Sequence, residues 1–248
     1  MTKFDFTGQT AIVTGGTRGI GAAISDAFLN SGATVVATYS GNEAAAREFA
    51  LAHEEVASRL DVQRFDVSSY EQVEQFFRYI DTKYAAVEVV VNNAGIRRDK
   101  VVGMLASEDW QKVIDINLTG VFNMSKFAVH KMMQARYGRI VNITSPSGKI
   151  GFEGQANYAA AKAGLVGFAR SLSKEVAKRK ITVNCVSPGF IDTDFIAALP
   201  DEQLKSYRKM VPLKRFGRPD EVAHCVLFLA ARETAYVTGA TLEVTGGL

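Results

Sequence analysis

Short β-branched runs alternate with longer helical stretches along nearly the whole chain, and this alternation limits the possible folds more than any other feature. The runs are apolar nearly throughout, which is typical of strands in a parallel sheet covered by helices on both faces. The predicted strands are Thr10–Thr14, Thr34–Tyr39, Val62–Asp66, Glu88–Asn92, Arg139–Thr144, Thr182–Ser187 and Thr241–Val244. The predicted helices are Gly19–Ser31, Asn42–Ala57, Tyr70–Tyr84, Ser107–Gln134, Tyr158–Lys178 and Asp220–Ala231.

This order of segments predicts an α/β fold, a doubly wound parallel sheet of about seven strands with helices on both faces. Right-handed crossovers bring the carboxyl ends of the strands to one edge, where such sheets bind ligands. No linker or internal repeat interrupts the pattern, so residues 1–248 are expected to form a single domain. The stretch from Asp192 to Phe216 fits no regular element and is expected to be an excursion that covers the site.

Charge and cysteine content exclude several classes of protein. The chain has 29 Lys and Arg against 26 Asp and Glu, and this net charge of +3 is too small to imply a nucleic-acid or membrane partner. No apolar run approaches the roughly 18–20 residues that span a bilayer, and the first residues do not resemble a signal or transit peptide. Cys185 and Cys225 stand alone, without the spacing of a metal site. The sequence therefore predicts a soluble cytoplasmic protein without a metal.

A glycine-rich turn directly follows the first predicted strand and leads into a helix. Gly15, Gly19 and Gly21 allow a tight turn and a close approach of the backbone, so that free N–H groups at the helix start face an anion. Glycines are also common in ordinary loops and caps. The position of the turn at the opening of a βαβ unit favours a dinucleotide-binding site.

The end of the second predicted strand indicates which dinucleotide is bound. A site for NAD usually has an Asp or Glu there to hold the ribose hydroxyl, whereas this strand ends Ala37-Thr38-Tyr39-Ser40. Arg18 lies in the glycine turn, where a guanidinium can pair with a 2′-phosphate. Arg18 as a solvated surface residue is the alternative. The missing carboxylate and the added arginine together favour NADP(H).

Tyr158 and Lys162 share one face of a predicted helix, because their spacing is one helical turn. Free tyrosine has a pKa of about 10, so acid–base chemistry near neutrality needs a shift of roughly 3 units, or ~4 kcal/mol. A positive charge about 5 Å away at an effective dielectric constant of ~20 supplies roughly 3 kcal/mol. Lys162 is therefore expected to lower the pKa of Tyr158, and an oxidised nicotinamide is expected to supply the rest. The same spacing also occurs by chance on helix surfaces.

Ser145 lies at the carboxyl end of the fifth predicted strand. A hydroxyl there can bind the same substrate oxygen that Tyr158 protonates. Thr144 and Ser147 are rival hydroxyl donors close by in the sequence.

Taken in order, the glycine turn, Asn92-Asn93-Ala94-Gly95, Ser145, Tyr158 with Lys162, and Pro188-Gly189 resemble the short-chain dehydrogenase/reductase family over essentially the whole chain. The segments around Tyr158 and Pro188 are most similar to bacterial 3-oxoacyl-acyl-carrier-protein reductases. The resemblance implies a Rossmann-like sheet and a homotetramer. It also implies NADPH-dependent reduction of 3-oxoacyl-acyl-carrier-protein to the 3-hydroxyacyl form in fatty acid biosynthesis.

The same resemblance assigns roles to individual residues. It implies a catalytic tetrad of Asn117, Ser145, Tyr158 and Lys162, in which Asn117 helps to hold a water linked to Lys162. The cofactor-binding residues that it implies, together with those argued above, are Gly15, Thr17, Arg18, Gly19, Ile20, Gly21, Ser40, Asp66, Val67, Asn93, Ala94, Gly95, Tyr158, Lys162, Pro188, Gly189, Ile191 and Thr193. Asp66 has a helix-capping role as its alternative. The excursion after Asp192 corresponds to the family's mobile substrate lid.

Arg136 and Arg179 match the basic positions that the family uses to dock acidic acyl carrier protein, and both are expected at the mouth of the site. Lys178 and Lys180 add to the second position, and ordinary solvated helix ends are the alternative. Within the family, an acetoacetyl-CoA, sugar or xenobiotic-carbonyl reductase is the nearest other function. A non-catalytic dinucleotide-binding regulator is the alternative from another class, and the complete tetrad argues against it.

Overall fold

A seven-stranded sheet, with every strand parallel, forms the centre of the computed structural model, which describes residues 4–193, 196 and 200–248. The strand order across the described residues is β3-β2-β1-β4-β5-β6-β7. The strands are β1 (Thr10–Val13), β2 (Thr34–Tyr39), β3 (Leu60–Arg64), β4 (Val89–Asn92), β5 (Gly138–Ile143), β6 (Ile181–Pro188) and β7 (Thr241–Val244). The residues of β1, β4, β5 and β6 are all buried, as expected for strands covered on both faces. The predicted α/β class is confirmed.

Helices cover both faces of the sheet. They are α1 (Gly19–Asn30), α2 (Glu43–Leu51), α3 (Tyr70–Lys83), α4 (Ser107–Ile114), α5 (Gly120–Ala135), α6 (Ser147–Ile150), α7 (Ala156–Val176), α8 (Asp201–Met210) and α9 (Pro219–Ala230). One apolar cluster joins α1 and α9 to the sheet through side chains such as Phe28 and Val226. A second cluster joins α3 and α5 to the opposite face through Phe77 and Met124. None of the described helices is long and apolar enough to cross a membrane.

The strand order changes direction between β1 and β4, which opens a crevice at their carboxyl ends. Thr14 ties the two loops together at this point. Its hydroxyl oxygen accepts hydrogen bonds from the backbone N–H groups of Asn93 and Ala94, at 2.9 and 3.0 Å. The glycine turn after β1 and the Asn-Ala-Gly turn after β4 are therefore held side by side.

The predicted helix Ser107–Gln134 is interrupted by a π-helical turn at Asp115–Thr119, between α4 and α5. Gly120 follows this turn and lies against Val67, where an added Cβ atom would come within 2.7 Å of the valine Cγ2. π-helical turns inside α-helices are frequent at functional sites. This one places Asn117 in its middle.

Two other elements differ from the predictions, and several further ends are shifted by one or two residues, as in α7, which is Ala156–Val176 rather than Tyr158–Lys178. The third strand is Leu60–Arg64, two residues earlier than predicted. The prediction left out its first residues because Asp61 is charged, yet Asp61 is buried within the strand. The Asp61 carboxylate accepts hydrogen bonds from Tyr79, Lys83 and Tyr84 of the following segment. The predicted helix Asn42–Ala57 ends at Leu51 and is followed by a 3₁₀ segment, Glu54–Arg59.

The excursion after β6 contains α8 in its described part, and residues 194, 195 and 197–199 of the predicted lid lie outside the described residues. Its two ends meet at a short parallel bridge between Ile191 and Gly217. The ring of Tyr207 on α8 stacks on Phe190, with centroids 4.3 Å apart. This contact places α8 beside the carboxyl end of β6.

Candidate active site

A cavity of about 640 Å³ lies at the carboxyl edge of the sheet. It extends from the glycine turn after β1 to the stacked rings of Phe190 and Tyr207. The predicted site residues that line it are Gly15, Arg18, Gly19, Ile20, Gly21, Asn93, Ala94, Gly95, Ser145, Tyr158, Lys162, Pro188, Gly189, Ile191 and Thr193. The structure therefore brings the glycine turn, the Asn-Ala-Gly turn and the Tyr–Lys pair into one space.

The glycine turn has the geometry of a pyrophosphate cradle. Gly15 and Gly19 have left-handed backbone angles, with φ of +60° and +53°. A Cβ atom on Gly21 would lie 1.9 Å from the Gly15 carbonyl oxygen, so only glycine fits there. No side chain caps the start of α1 and no acidic residue lies in its first turn, which leaves its positive end available to an anion. These residues fit the phosphates of a dinucleotide.

The adenosine corner, at the end of β2, has no carboxylate in the strand itself. Instead, pairing of β2 with β3 places Arg64 beside it, and the Arg64 Nε donates a hydrogen bond to the Ser40 carbonyl at 3.2 Å. Glu43 is the first acidic residue after the strand, and its exposed carboxylate lies 3.5 Å from Arg64 and 3.6 Å from Arg47. Together with exposed Arg18 in the glycine turn, these side chains leave an excess of positive charge.

Four predicted cofactor residues lie outside the cavity lining. Thr17 is buried, and Ser40 is exposed just beyond β2. The Asp66 carboxylate accepts hydrogen bonds from the backbone N–H and hydroxyl of Ser68, while Ser69 caps α3. Val67 is buried against Gly120. The helix-capping alternative for Asp66 is therefore wrong, and its contact with adenine stays a prediction.

Ser145 is the hydroxyl that interacts with the Tyr158 phenol, and this interaction acts to lower the phenol pKa. The rival Thr144 hydroxyl donates instead to the Val186 carbonyl on β6, at 3.1 Å. The Ser147 hydroxyl donates to the Gln155 side chain, at 3.0 Å. Of these three side chains, Ser145 is the one placed to bind an oxygen beside the phenol.

Lys162 is buried one turn along α7 from Tyr158. Its ammonium donates a hydrogen bond to the Ile143 carbonyl at the end of β5, at 2.8 Å. Its Nζ lies 5.5 Å from the centroid of the Tyr158 ring, so the two side chains share the predicted helix face. Burial lowers the pKa of Lys162 to about 8.

The pKa of Tyr158 moves opposite to the sequence-based expectation. Burial raises it above its ordinary value, while the charge of Arg97 and the hydrogen bond with Ser145 act to lower it. The expectation is wrong because it counted the Lys162 charge and left out the desolvation of the phenolate. Any lowering of the phenol pKa must then come from further positive charge in the cavity.

Asn117 lies behind the cavity wall, in the π-helical turn. Its side-chain amide donates hydrogen bonds to the carbonyls of Ile96 and Val113, both at 2.9 Å. A Cβ atom on Gly95 would lie 2.6 Å from the Asn117 Oδ1 and 3.6 Å from the Lys162 Nζ. Asn117 and Lys162 therefore converge on the backbone of Gly95, and Asn117 holds the segment after β4 in place.

Arg97 is a cavity residue that the sequence analysis missed. It follows the Asn-Ala-Gly turn, forms an ion pair with Asp99, and places its guanidinium carbon 5.8 Å from the centroid of the Tyr158 ring. No spacing rule marks this position, because the contact with α7 is made across the fold. Thr14 and Arg64 were missed for the same reason.

Arg136 and Arg179 do not lie at the mouth of this cavity. Arg136 follows α5 and precedes β5, and Arg179 ends a 3₁₀ turn that precedes β6. Both helices run antiparallel to the strands, so their last residues reach the amino edge of the sheet, whereas the cavity lies at the carboxyl edge. The expectation that both arginines border the mouth is wrong within one subunit.

Comparisons with known proteins agree with this geometry. The family model described as enoyl-(acyl carrier protein) reductase matches residues 15–248. The chain is 43% identical over 245 residues to the 3-oxoacyl-acyl-carrier-protein reductase of Aquifex aeolicus, covering 97% of each chain. It is 45% identical over 248 residues to the Escherichia coli reductase of the same name, covering 98% of each chain. It is also 42% identical over 240 residues to an acetoacetyl-CoA reductase of Shinella zoogloeoides, covering 96% of this chain and 98% of the relative.

Proposed function

The chain belongs to the short-chain dehydrogenase/reductase family, and from this premise we propose that it reduces 3-oxoacyl-acyl-carrier-protein to 3-hydroxyacyl-acyl-carrier-protein with NADPH, as a step of fatty acid biosynthesis. The observation that carries the proposal is the meeting of Ser145, Tyr158 and Lys162 in one cavity with a glycine turn. The relatives named for this reaction cover nearly the whole chain.

Each residue of the site has its own role in the proposed reaction. Ser145 binds the keto oxygen, and the Tyr158 hydroxyl donates its proton to that oxygen. The bound cofactor supplies the hydride for the keto carbon. Lys162 holds the cofactor ribose, and Asn117 supports the relay that returns a proton to Tyr158. The glycine turn holds the pyrophosphate.

The charge at the adenosine corner supports the choice of NADPH. Arg18 and Arg64 would bind the 2′-phosphate, and no carboxylate ends β2 to bind a free ribose hydroxyl instead. The remaining predicted contacts, Asp66 and Val67 with the adenine and Ile191 and Thr193 with the nicotinamide side, belong to the same proposal.

We place the enzyme in the cytoplasm as a homotetramer in which Arg136 and Arg179 dock the acidic carrier protein. Since both arginines lie at the amino edge of their own sheet, they can serve only the cavity of another subunit. Docking and oligomer formation are therefore one proposal.

The direct test follows NADPH oxidation with acetoacetyl-acyl-carrier-protein, with acetoacetyl-CoA and with NADH in parallel. We expect the carrier-protein thioester and NADPH to give the highest kcat/KM. A clear preference for the CoA thioester would favour an acetoacetyl-CoA reductase, the activity named for the Shinella relative. Tight NADPH binding without turnover of any keto thioester would favour a non-catalytic regulator.

Tyr158→Phe tests the mechanism. We expect turnover to fall at least ~100-fold while the Kd for NADPH stays nearly unchanged, because only the proton donor is removed. Near-normal turnover in this variant would exclude Tyr158 as the acid.

A further inference from the structure

Arg97 brings a second cation to the face of Tyr158, from a different element than Lys162. Its guanidinium carbon lies 5.8 Å from the centroid of the tyrosine ring, and its side chain is 23% exposed on the cavity wall. Asp99 pairs with the guanidinium and fixes its position. Both residues lie on the segment between β4 and α4, which Asn117 holds through Ile96.

Asp99 is also one end of a chain of side-chain hydrogen bonds that reaches Ser145. Gln155 donates to the Asp99 carboxylate at 3.3 Å, and Ser147 donates to the Gln155 carbonyl oxygen at 3.0 Å. Ser145 donates to the Ser147 hydroxyl at 3.1 Å. The ion pair between Arg97 and Asp99 is therefore connected by hydrogen bonds to the Ser145 hydroxyl, and its guanidinium lies beside the Tyr158 ring.

We propose that Arg97, held by Asp99, is a positioning residue that keeps a permanent positive charge beside the Tyr158 phenol and so sets the pH range in which Tyr158 exchanges its proton. This inference rests on the proposed function. During keto reduction the phenol O–H bond breaks and the proton passes to the substrate oxygen, while the keto carbon receives hydride from the nicotinamide cofactor. The guanidinium then faces the phenolate that remains.

The other charged groups around Tyr158 explain why Arg97 matters. Lys162 faces the ring from the same helix, Asp99 faces it from the segment after β4, and Tyr207 of α8 faces Arg97. Burial lowers the pKa of Lys162 to about 8, so its charge is lost as the pH rises through that value. The guanidinium of an arginine stays charged at that pH. Of the two cations, Arg97 is the one whose charge does not titrate.

The test compares Arg97→Met and Arg97→Lys with Lys100→Met. Lys100 is exposed, lies on the same segment and is outside the cavity lining, so its variant removes an equal charge as a matched control. The readout is the pH profile of oxidation of 3-hydroxybutyryl-CoA by NADP⁺, which needs the phenolate. We expect the rising limb of Arg97→Met to move up by about one pH unit, with about tenfold lower kcat at pH 7.

The rising limb of the oxidation profile of Arg97→Lys is expected to lie between those of the wild type and Arg97→Met. The limb of Lys100→Met should coincide with that of the wild type. Reduction at pH 6, where the phenol is protonated in every variant, should change much less than oxidation. If the role of Arg97 were merely structural, Arg97→Met would lower the rates of oxidation and reduction together without moving the rising limb of the pH profile. An unmoved limb in Arg97→Met, or an equal movement in Lys100→Met, would overturn the proposal.

A second measurement needs no turnover and separates this inference from the proposed function. The ultraviolet titration of phenolate, taken as the difference between each protein and its Tyr158→Phe counterpart, reports the Tyr158 pKa in the wild type and in Arg97→Met. We expect the value to be about one unit higher without the guanidinium. Equal values refute the role of Arg97 even in an active enzyme, whereas a wild type without reductase activity refutes the proposed function.

Discussion

At the scale of single residues, close packing around the Tyr–Lys pair decides which side chains the site tolerates. Gly95 shows this most sharply, because the side chains of Asn117 and Lys162 both converge on its Cα. The neighbouring contacts leave Asn117 little freedom to move, since its amide is bonded to Ile96 and Val113. A change of one methyl group at residue 95 is therefore expected to reach the chemistry.

Gly95→Ala is expected to lower stability by about 1–3 kcal/mol, because its Cβ atom would lie 2.6 Å from the Asn117 Oδ1. Turnover should fall as well, since the side chain of Asn117, one of the proposed catalytic residues, must shift away from the new methyl group. Gly103→Ala is the matched control, as a Cβ atom there meets nothing within 4 Å. Urea denaturation and kcat measure the two effects, and equal behaviour of the two variants would contradict the packing argument.

Lys162 should destabilise the fold at neutral pH, and the destabilisation should fade as the pH rises. Its pKa is about 8 in the folded protein and 10.5 in its ordinary state, so between these values the folded chain binds fewer protons than the unfolded chain. The free energy of unfolding contributed by this residue then increases with pH, by up to about 1.4 kcal/mol per pH unit.

The measurement is urea denaturation of the wild type and Lys162→Met from pH 7 to pH 10, without cofactor. We expect the wild type to gain stability relative to Lys162→Met above pH 8, and Lys174→Met, at an exposed site on the same helix, to show no such gain. Parallel stability curves for the wild type and Lys162→Met would show that Lys162 does not carry the lowered pKa.

The residue scale also shows the limits of sequence reasoning. The spacing of Tyr158 and Lys162 correctly predicted that they share a face, because helical geometry is local. The direction of the Tyr158 pKa was wrong, because burial depends on the whole fold. Arg97 was missed because its approach to Tyr158 joins segments distant in sequence.

At the scale of elements, the segment that returns from the excursion is anchored to the start of α9. The Glu221 carboxylate accepts hydrogen bonds from the backbone N–H of Arg218 and from both terminal nitrogens of Arg215. Gly217, between these arginines, donates to the Phe190 carbonyl and accepts from the Asp192 N–H. Glu221 thus supports the base of the excursion as well as its own helix.

Glu221→Gln is expected to lower stability at pH 7 by about 1 kcal/mol, the usual contribution of a helix cap. The hydrogen bonds from Arg215 and Arg218 lower the Glu221 pKa to about 2, from an ordinary value of 4.5. The difference in the free energy of unfolding between the wild type and Glu221→Gln should therefore reach its full size above pH 4.5 and disappear as the pH falls toward 2. Thermal unfolding across this range measures it, with exposed Glu233→Gln as the control; a difference that persists at low pH would contradict the assignment.

Helix and strand types could be predicted from the sequence, whereas several boundaries could not. Apolar periodicity reports which residues are buried, and it correctly predicted each strand of the sheet. Asp61 is an exception in β3, because it is a buried carboxylate. The side chains that donate hydrogen bonds to it come from α3 and from the residue after α3, so the local sequence does not show that it is buried. The π-helical turn at Asp115–Thr119 escaped prediction because its residues also suit a regular helix.

At the scale of the whole molecule, the cavity and the pair Arg136 and Arg179 lie at opposite edges of the sheet. Because of this separation, the docking proposal requires that the arginines of one subunit serve the cavity of another subunit. The double variant with Arg136→Glu and Arg179→Glu is expected to lower kcat/KM for the carrier-protein thioester at least ~10-fold and to leave the CoA thioester nearly unaffected. Arg78→Glu, an exposed change on α3, is the control.

Mixed oligomers test whether docking and chemistry come from different subunits. Tyr158→Phe keeps the docking arginines, and the double arginine variant keeps the tetrad. We expect subunit exchange between the two to restore part of the carrier-protein activity. Confirmed exchange, measured by mass, with no recovery would contradict docking across subunits.

The π-helical turn has a practical consequence for anyone who alters the length of this chain. It adds about one residue to the helical repeat, so deleting a single residue there would leave a continuous regular helix that folds readily by itself. The later side chains of α5 would keep their faces, but the turn that holds Asn117 against the carbonyls of Ile96 and Val113 would be lost. Deletion scanning should therefore find that single deletions in this short stretch leave the protein folded but lower turnover far more than deletions in the exposed loop at Gly41.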